Sequence, residues 1–102
     1  MAVKMTLKGK YILKDPKDQC NFSIEELQKL VGGDFELIHL VNTQIIVVNA
    51  EKAIRADETE INKTGDIYCI AHKLNRHIYG SFLLCNRNEI DNTLKLMEPP
   101  LS

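Results

Sequence analysis

Four side chains in the last third of the chain have the types and spacing to do chemistry: Cys69, His72, His77 and Cys85. Cys69 and His72 sit one helical turn apart, and Cys-x2-His is a ligand-like spacing. Tetrahedral zinc needs four such donors converging at about 2.0–2.3 Å from the metal. The same thiols would serve as nucleophiles beside His72 or His77, which requires a lowered thiol pKa in an exposed, electropositive pocket. The surroundings oppose both readings. Cys69 borders an apolar helical face and suits a small core residue. His72 suits the negative end of a helix, Cys85 can end a buried strand, and the paired Cys-x2-Cys knuckle is missing. The expectation is therefore no catalytic residue and no cofactor. Zinc on Cys69, His72, His77 and Cys85 is kept as a lower-ranked alternative.

Other polar groups carry less. Gly32-Gly33 follows a helix, whereas phosphate-binding glycines precede one so that free N–H groups point at the anion. Thr64-Gly65 does open a helix, but capping accounts for it. His39 lies inside an alternating strand and reads as hydrogen-bonded or half-exposed. Asp57, Glu58 and Glu60 read as a solvated loop, and no carboxylate pair is placed for acid–base work. Lys8, Lys10, Lys14, Lys63, Lys73 and Arg76 could supply positive charge to a nucleotide ligand, without spacing that shows them converging. An enzyme is not expected.

Composition bounds the rest. With 102 residues, 44% hydrophobic and 26% charged, the chain has ordinary globular usage and the length of one domain. Thirteen Lys and Arg against 14 Asp and Glu give a formal charge of −1, which argues against a nucleic-acid binder. No apolar run approaches the roughly 18 residues needed to span a bilayer, and Met1 to Lys10 lacks the apolar core of a signal peptide. The expected location is the cytoplasm. Three cysteines (Cys20, Cys69, Cys85) read as reduced thiols rather than a disulfide scaffold.

The elements follow from periodicity and punctuation. Residues 1–17 carry five lysines against one acid, Asp15. Lys10 to Lys14 reads as a strand there, followed by a turn at Asp15-Pro16. The preferred account of the basic excess is an exposed sheet edge guarded by lysine, ahead of a small anion-binding patch. Ser23 and Glu26 form a capping box, Ile24, Leu27, Leu30 and Val31 define an apolar helical face, and Gly32 ends that helix in the left-handed region. Phe35 to Val41 alternates, with Phe35, Leu37, His39 and Val41 on one face. Asn42-Thr43 links it to Gln44–Asn49, whose β-branched run implies a strand covered on both faces. Residues 49–52 read as a turn, Ala53–Arg55 as a short return strand, and 56–60 as a loop. A second helix starts near Thr64 or Gly65, with Thr64 as cap and Ile67, Ile70, Ala71 and Leu74 as its core stripe, ending at Asn75. Ile78 to Cys85 is a strand with Gly80 at a bulge or close contact, and 88–97 a last helix using Ile90, Leu94 and Met97. The whole is α+β: a small mixed, mainly antiparallel sheet with two to three short helices on one face, in a single domain over 1–98 with a disordered tail over 99–102.

Three segments also resemble a known family. They are Leu27 to Leu40 (LQKLVGGDFELIHL), Ile46 to Asn49 followed by Glu51, and the block Asn62 to Cys85 with Ala71, Ile78, Gly80 and Phe82-Leu83-Leu84. The chain from Lys10 to Cys85 is similar to an uncharacterised domain-of-unknown-function family of small proteins from bacteriophages, prophages and conjugative elements. The motif L-Q-x-L-V-G-G-x-x-E is its most specific part. The usual member has a more acidic N-terminal hairpin than this chain. The resemblance implies an accessory protein acting in the bacterial host cytoplasm by binding a host factor, with no catalytic residue to carry over. The leading expectation is a non-enzymatic protein-binding module, with homodimerisation through an edge strand or the C-terminal helix as a variant. A small-molecule or nucleotide-signal binder, sequestering its ligand in an anti-defence role, comes second.

Overall fold

The computed structural model describes residues 2–17 and 21–90. Five strands form one sheet: β1 (Ala2–Met5), β2 (Tyr11–Lys14), β3 (Phe35–His39), β4 (Gln44–Asn49) and β5 (Phe82–Asn86). Their spatial order is β2-β1-β5-β4-β3, and every neighbouring pair is antiparallel. Three helices accompany them: α1 (Ile24–Val31), α2 (Ala50–Arg55) and α3 (Lys63–Ala71). The α+β class is as expected.

The sheet is packed on both faces, not on one. Alternation along a strand sends successive side chains to opposite sides. Ile45, Val47, Leu83 and Cys85 therefore meet Leu27 and Val31 of α1, with Phe22 and Ile90. Ile46, Val48, Phe82 and Leu84 meet Cys69 of α3 together with Ile78, Met5, Ile38 and Leu40. The second layer exists because β4 and β5 are apolar at nearly every position, and a one-sided helix layer would leave half of them wet.

The first helix behaves as its sequence implies. Ser23 Oγ accepts from Glu26 N at 3.2 Å while Glu26 Oε1 accepts from Ser23 N at 3.2 Å. Gly32 closes the helix at φ 84°. Elsewhere capping asparagines redraw the boundaries. Residues 50–55, read as part of a turn and a return strand, form α2, because Asn49 at the end of β4 accepts the Lys52 N–H on its Oδ1 at 2.9 Å. The cap of α3 is Asn62, not Thr64, and the left-handed residue behind it is Lys73 (φ 57°), not Asn75.

Of the core stripe assigned to α3, Leu74 packs against the apolar layer, but Ile67, Ile70 and Ala71 face outward. Ile67 and Ile70 are 65% and 77% exposed, while Gly65 and Cys69 are buried. A Cβ on Gly65 would lie 2.7 Å from Ile78 Cβ, so the helix approaches the body along the line where it has no side chain. The strand expected over 78–85 begins only at Phe82, since Ile78 is turned into the core beneath α3 and Gly80 adopts φ 76°. Gly80 is nonetheless a close contact, as anticipated: Lys52 Cδ lies 2.8 Å from where its Cβ would stand. The last helix expected over 88–97 does not start as read: Arg87–Glu89 form a 3-10 turn and buried Ile90 is extended and bridged to Phe22, while the rest of that helix and the tail lie outside the described residues.

Candidate functional site

The suspected cysteine–histidine cluster is not assembled. Cys69 belongs to the apolar layer on one face of the sheet and Cys85 to the layer on the other, so the two thiols cannot ligate one ion. No group of three or more His, Cys, Asp or Glu side chains among the described residues could hold a metal. His72 ends α3 as expected, and His77 Nδ1 lies 2.8 Å from Asp66 Oδ1 in an exposed pair. Burial pushes the Cys85 thiol up to about 12, and burial beside Asp66 raises that of Cys69. Both stay protonated near neutral pH, opposite to what a nucleophile needs. Cys20 lies outside the described residues.

The remaining candidates have local partners too. The N–H groups of Gly32 and Gly33 both donate to Gln28 O at 2.9 Å, and that of Gly65 donates to Asn62 Oδ1 at 3.1 Å, so neither glycine site offers free donors to an anion. Arg87 Nη2 lies 3.4 Å from His39 Nδ1. The acidic loop is exposed over residues 56–59, as expected, with local partners: Asp57 accepts from both the N–H and the hydroxyl of Thr59, and half-buried Glu60 Oε1 accepts from Lys52 Nζ at 2.6 Å. Those Thr59 bonds hold the Asp57 carboxyl below its ordinary range. The six basic residues are spread over the molecule. Lys14 lines a cleft between β2 and α1, and Arg76 lines another beneath α3.

What the fold does present is the outer edge of β2. The strand Ala2–Met5, unanticipated in the sequence, fills the space between β2 and β5 and leaves β2 as the edge. Its four residues mix one lysine with small and apolar side chains, too short a run to signal a strand. The available signal was Gly9, which closes the β1–β2 turn at φ 88° with its N–H on Thr6 O at 3.0 Å. In the register Val3↔Leu13 and Met5↔Tyr11, Tyr11 and Leu13 share the α3 side of the sheet. Lys4, Ile12 and Lys14 share the α1 side. Tyr11 and Leu13 are each 65% exposed, because α3 and Ile78 cover the sheet only as far as Met5 and Val3. Thr6 N donates to Lys10 O at 3.0 Å. Antiparallel alternation then directs the N–H and C=O of Tyr11 and Leu13 away from β1, toward solvent.

The hairpin is fixed by one buried side chain. Asn62 is 1% exposed; its Nδ2 donates to Gly80 O at 2.9 Å and reaches Thr6 O at 3.3 Å and Met5 O at 3.4 Å. Its Oδ1 caps α3. The end of β1, the loop before β5 and the start of α3 thus meet on one amide.

Fold and edge together define a small α+β domain that carries an uncovered, lysine-flanked strand at one end of its sheet. The chain matches the model of the family described as "Domain of unknown function (DUF3846)" over residues 8–99, and it belongs to that family. The match extends past the Lys10–Cys85 region in which the resemblance was read, at both ends. No curated protein and no solved structure matches the chain. Among the described residues, no helix is long and apolar enough to cross a membrane.

Proposed function

We propose that the protein is a non-enzymatic binding module that takes an extended segment of another protein along the outer edge of β2. The observation carrying this reading is the pairing of outward backbone groups with Tyr11 and Leu13, large side chains each 65% exposed on an edge strand. Strand addition draws affinity from main-chain hydrogen bonds and selectivity from alternate side chains, and β2 offers both. The setting, an accessory protein of a phage or mobile element acting on a host protein in the bacterial cytoplasm, is supported by the sequence resemblance. No feature gathers the basic residues into a nucleotide pocket, so that second reading receives no support from the geometry.

The test is capture of interacting proteins by the wild-type chain and by Leu13→Pro. The Leu13 N–H faces outward, so proline there removes a donor from the free edge and none from the β1 ladder. A partner held by the wild type and lost from a still-folded Leu13→Pro is expected. A partner held equally by both, or none at all, refutes the proposal.

A further inference from the structure

We infer that the strand received by β2 alternates acidic and apolar residues, with acids on the α1 side of the sheet and apolar side chains on the α3 side. This rests on the edge reading above and specifies its occupant. The two sides of the hairpin differ in kind. On the α3 side the incoming strand meets Tyr11 and Leu13, continuing the apolar layer built from Met5, Phe82 and Leu84. On the α1 side it meets Lys10, Ile12 and Lys14, with Lys4 one strand further in and Lys8 in the adjoining turn. None of these four lysines pairs with an acid among the described residues. Cross-strand neighbours of opposite charge stabilise a pair, and like charges directly opposite destabilise it. A five-residue segment reading acid, apolar, β-branched, apolar, acid satisfies both sides, and its symmetry lets it do so in either direction.

Charge also selects against a second copy of this chain. Two β2 strands paired antiparallel about Ile12 place Lys10 of each against Lys14 of the other, and lysine on an edge is a recognised guard against such pairing. The preference is uneven along the strand. Near Lys14 the cleft toward α1 sets Asp15, Glu25 and Glu26 against Lys14, Lys17 and Lys29, and Glu26 is engaged by the N–H groups of Ser23 and Lys17. Lys4 stands opposite Ile12, midway along β2, so the uncompensated positive charge is greatest at the Lys10 end, where Lys8 adds to it.

The experiment titrates the full chain, isotope-labelled for NMR, with the capped peptide GSEVTVESG and its lysine isomer GSKVTVKSG. Expected is slowed exchange of the Tyr11 and Leu13 amides, with the acidic peptide binding roughly tenfold tighter at low salt, as two attractive pairs replace two repulsive ones. The ratio should shrink as salt rises and invert in Lys10→Glu/Lys14→Glu, both exposed or half-exposed positions whose change leaves the fold intact. Equal binding of both peptides at β2 overturns the acidic preference and leaves the edge reading standing. Failure of either peptide to protect those two amides at millimolar concentration overturns the edge reading itself. Dimerisation that protects the amides without peptide makes a second copy the occupant and overturns the inference.

Discussion

Replacing Asn62 by Asp exchanges the amide NH2 for an oxygen and tests how the fold is held. The wild-type amide donates to Gly80 O at 2.9 Å and shares its other proton between Thr6 O at 3.3 Å and Met5 O at 3.4 Å. Its oxygen accepts the Gly65 N–H at 3.1 Å. Asn62→Ala removes the cap, about 1 kcal/mol, and takes from buried Gly80 O the amide donor it has at 2.9 Å, a loss of about 1–3 kcal/mol. The sum is about 3 kcal/mol. Asn62→Asp keeps the cap, since the carboxylate still accepts from Gly65. It turns the donor into an anionic oxygen facing three carbonyls in a buried site, so it should cost more than Ala despite being the closer isostere. With total stabilities of such domains at about 5–15 kcal/mol, the Asp variant should be near unfolding at pH 7. It should recover partly in acid as the carboxyl protonates and regains a donor. Urea unfolding of wild type, Asn62→Ala and Asn62→Asp at two pH values reads this out. An Asp variant as stable as the Ala variant at neutral pH, or an Ala cost under about 1 kcal/mol, would refute the reasoning.

Three further perturbations follow from the packing. Gly65→Ala, helix-stabilising by about 1 kcal/mol in an open helix, should instead lower the urea midpoint, because its Cβ would stand 2.7 Å from Ile78 Cβ. Ile67→Gln and Ile70→Gln should each shift stability by less than about 0.5 kcal/mol, whereas Cys69→Gln should be severely destabilising by placing an amide in the α3 layer; a reversed ranking would show that α3 is turned the other way. The Cys85 thiol is raised in the fold from an ordinary 9.0 to about 12, so the stability it contributes is complete below pH 9 and lost as pH rises toward 12. Alkaline unfolding monitored by circular dichroism should be shallower in Cys85→Ala than in wild type across that window.

The legible parts of the fold were those where local chemistry and packing agree. Ser23, Glu26 and Gly32 mark their helix because capping bonds form within a few residues and owe little to the rest of the chain. The run Ile45–Val48 announced two covered faces because both parities are apolar. The misread parts are those where tertiary contacts decide between local options. In α3 the periodicity of Ile67, Ile70 and Ala71 suggested a core stripe, yet the close approach of Gly65 to Ile78 sets the rotation, and glycine carries no weight in a hydrophobic pattern. Asn49 read as an ordinary turn residue and Thr64 took the capping role that belongs to Asn62; the bonds of the two asparagines to Val31 O and to Met5, Thr6 and Gly80 join segments far apart in sequence. The cysteines and histidines looked clustered along the chain; Cys69 and His77 do line one cleft beneath α3, but Cys85 packs in the layer on the other face of the sheet. The lysine-guarded edge was legible from composition; its exposed apolar side was not, because the extent of α3's cover depends on that same rotation.

Asn62 also bears on how the edge would work. Among the described residues strand β2 pairs with β1 alone, and a two-stranded ribbon by itself is marginal in water. Its rigidity comes from β1, which pairs with β5 through Val3↔Leu84, Lys4↔Leu83 and Met5↔Phe82 and is pinned at Met5 and Thr6 by the Asn62 amide. A strand arriving at β2 therefore meets a template already ordered, and preorganisation raises affinity by sparing the ordering cost of one partner. Loosening the anchor without touching the edge, as Asn62→Ala does, should weaken the acidic peptide while preserving its margin over the lysine isomer, because the charges that set that margin are unchanged. A loss of affinity confined to the acidic peptide would instead place the selecting charges near Asn62, away from Lys10 and Lys14.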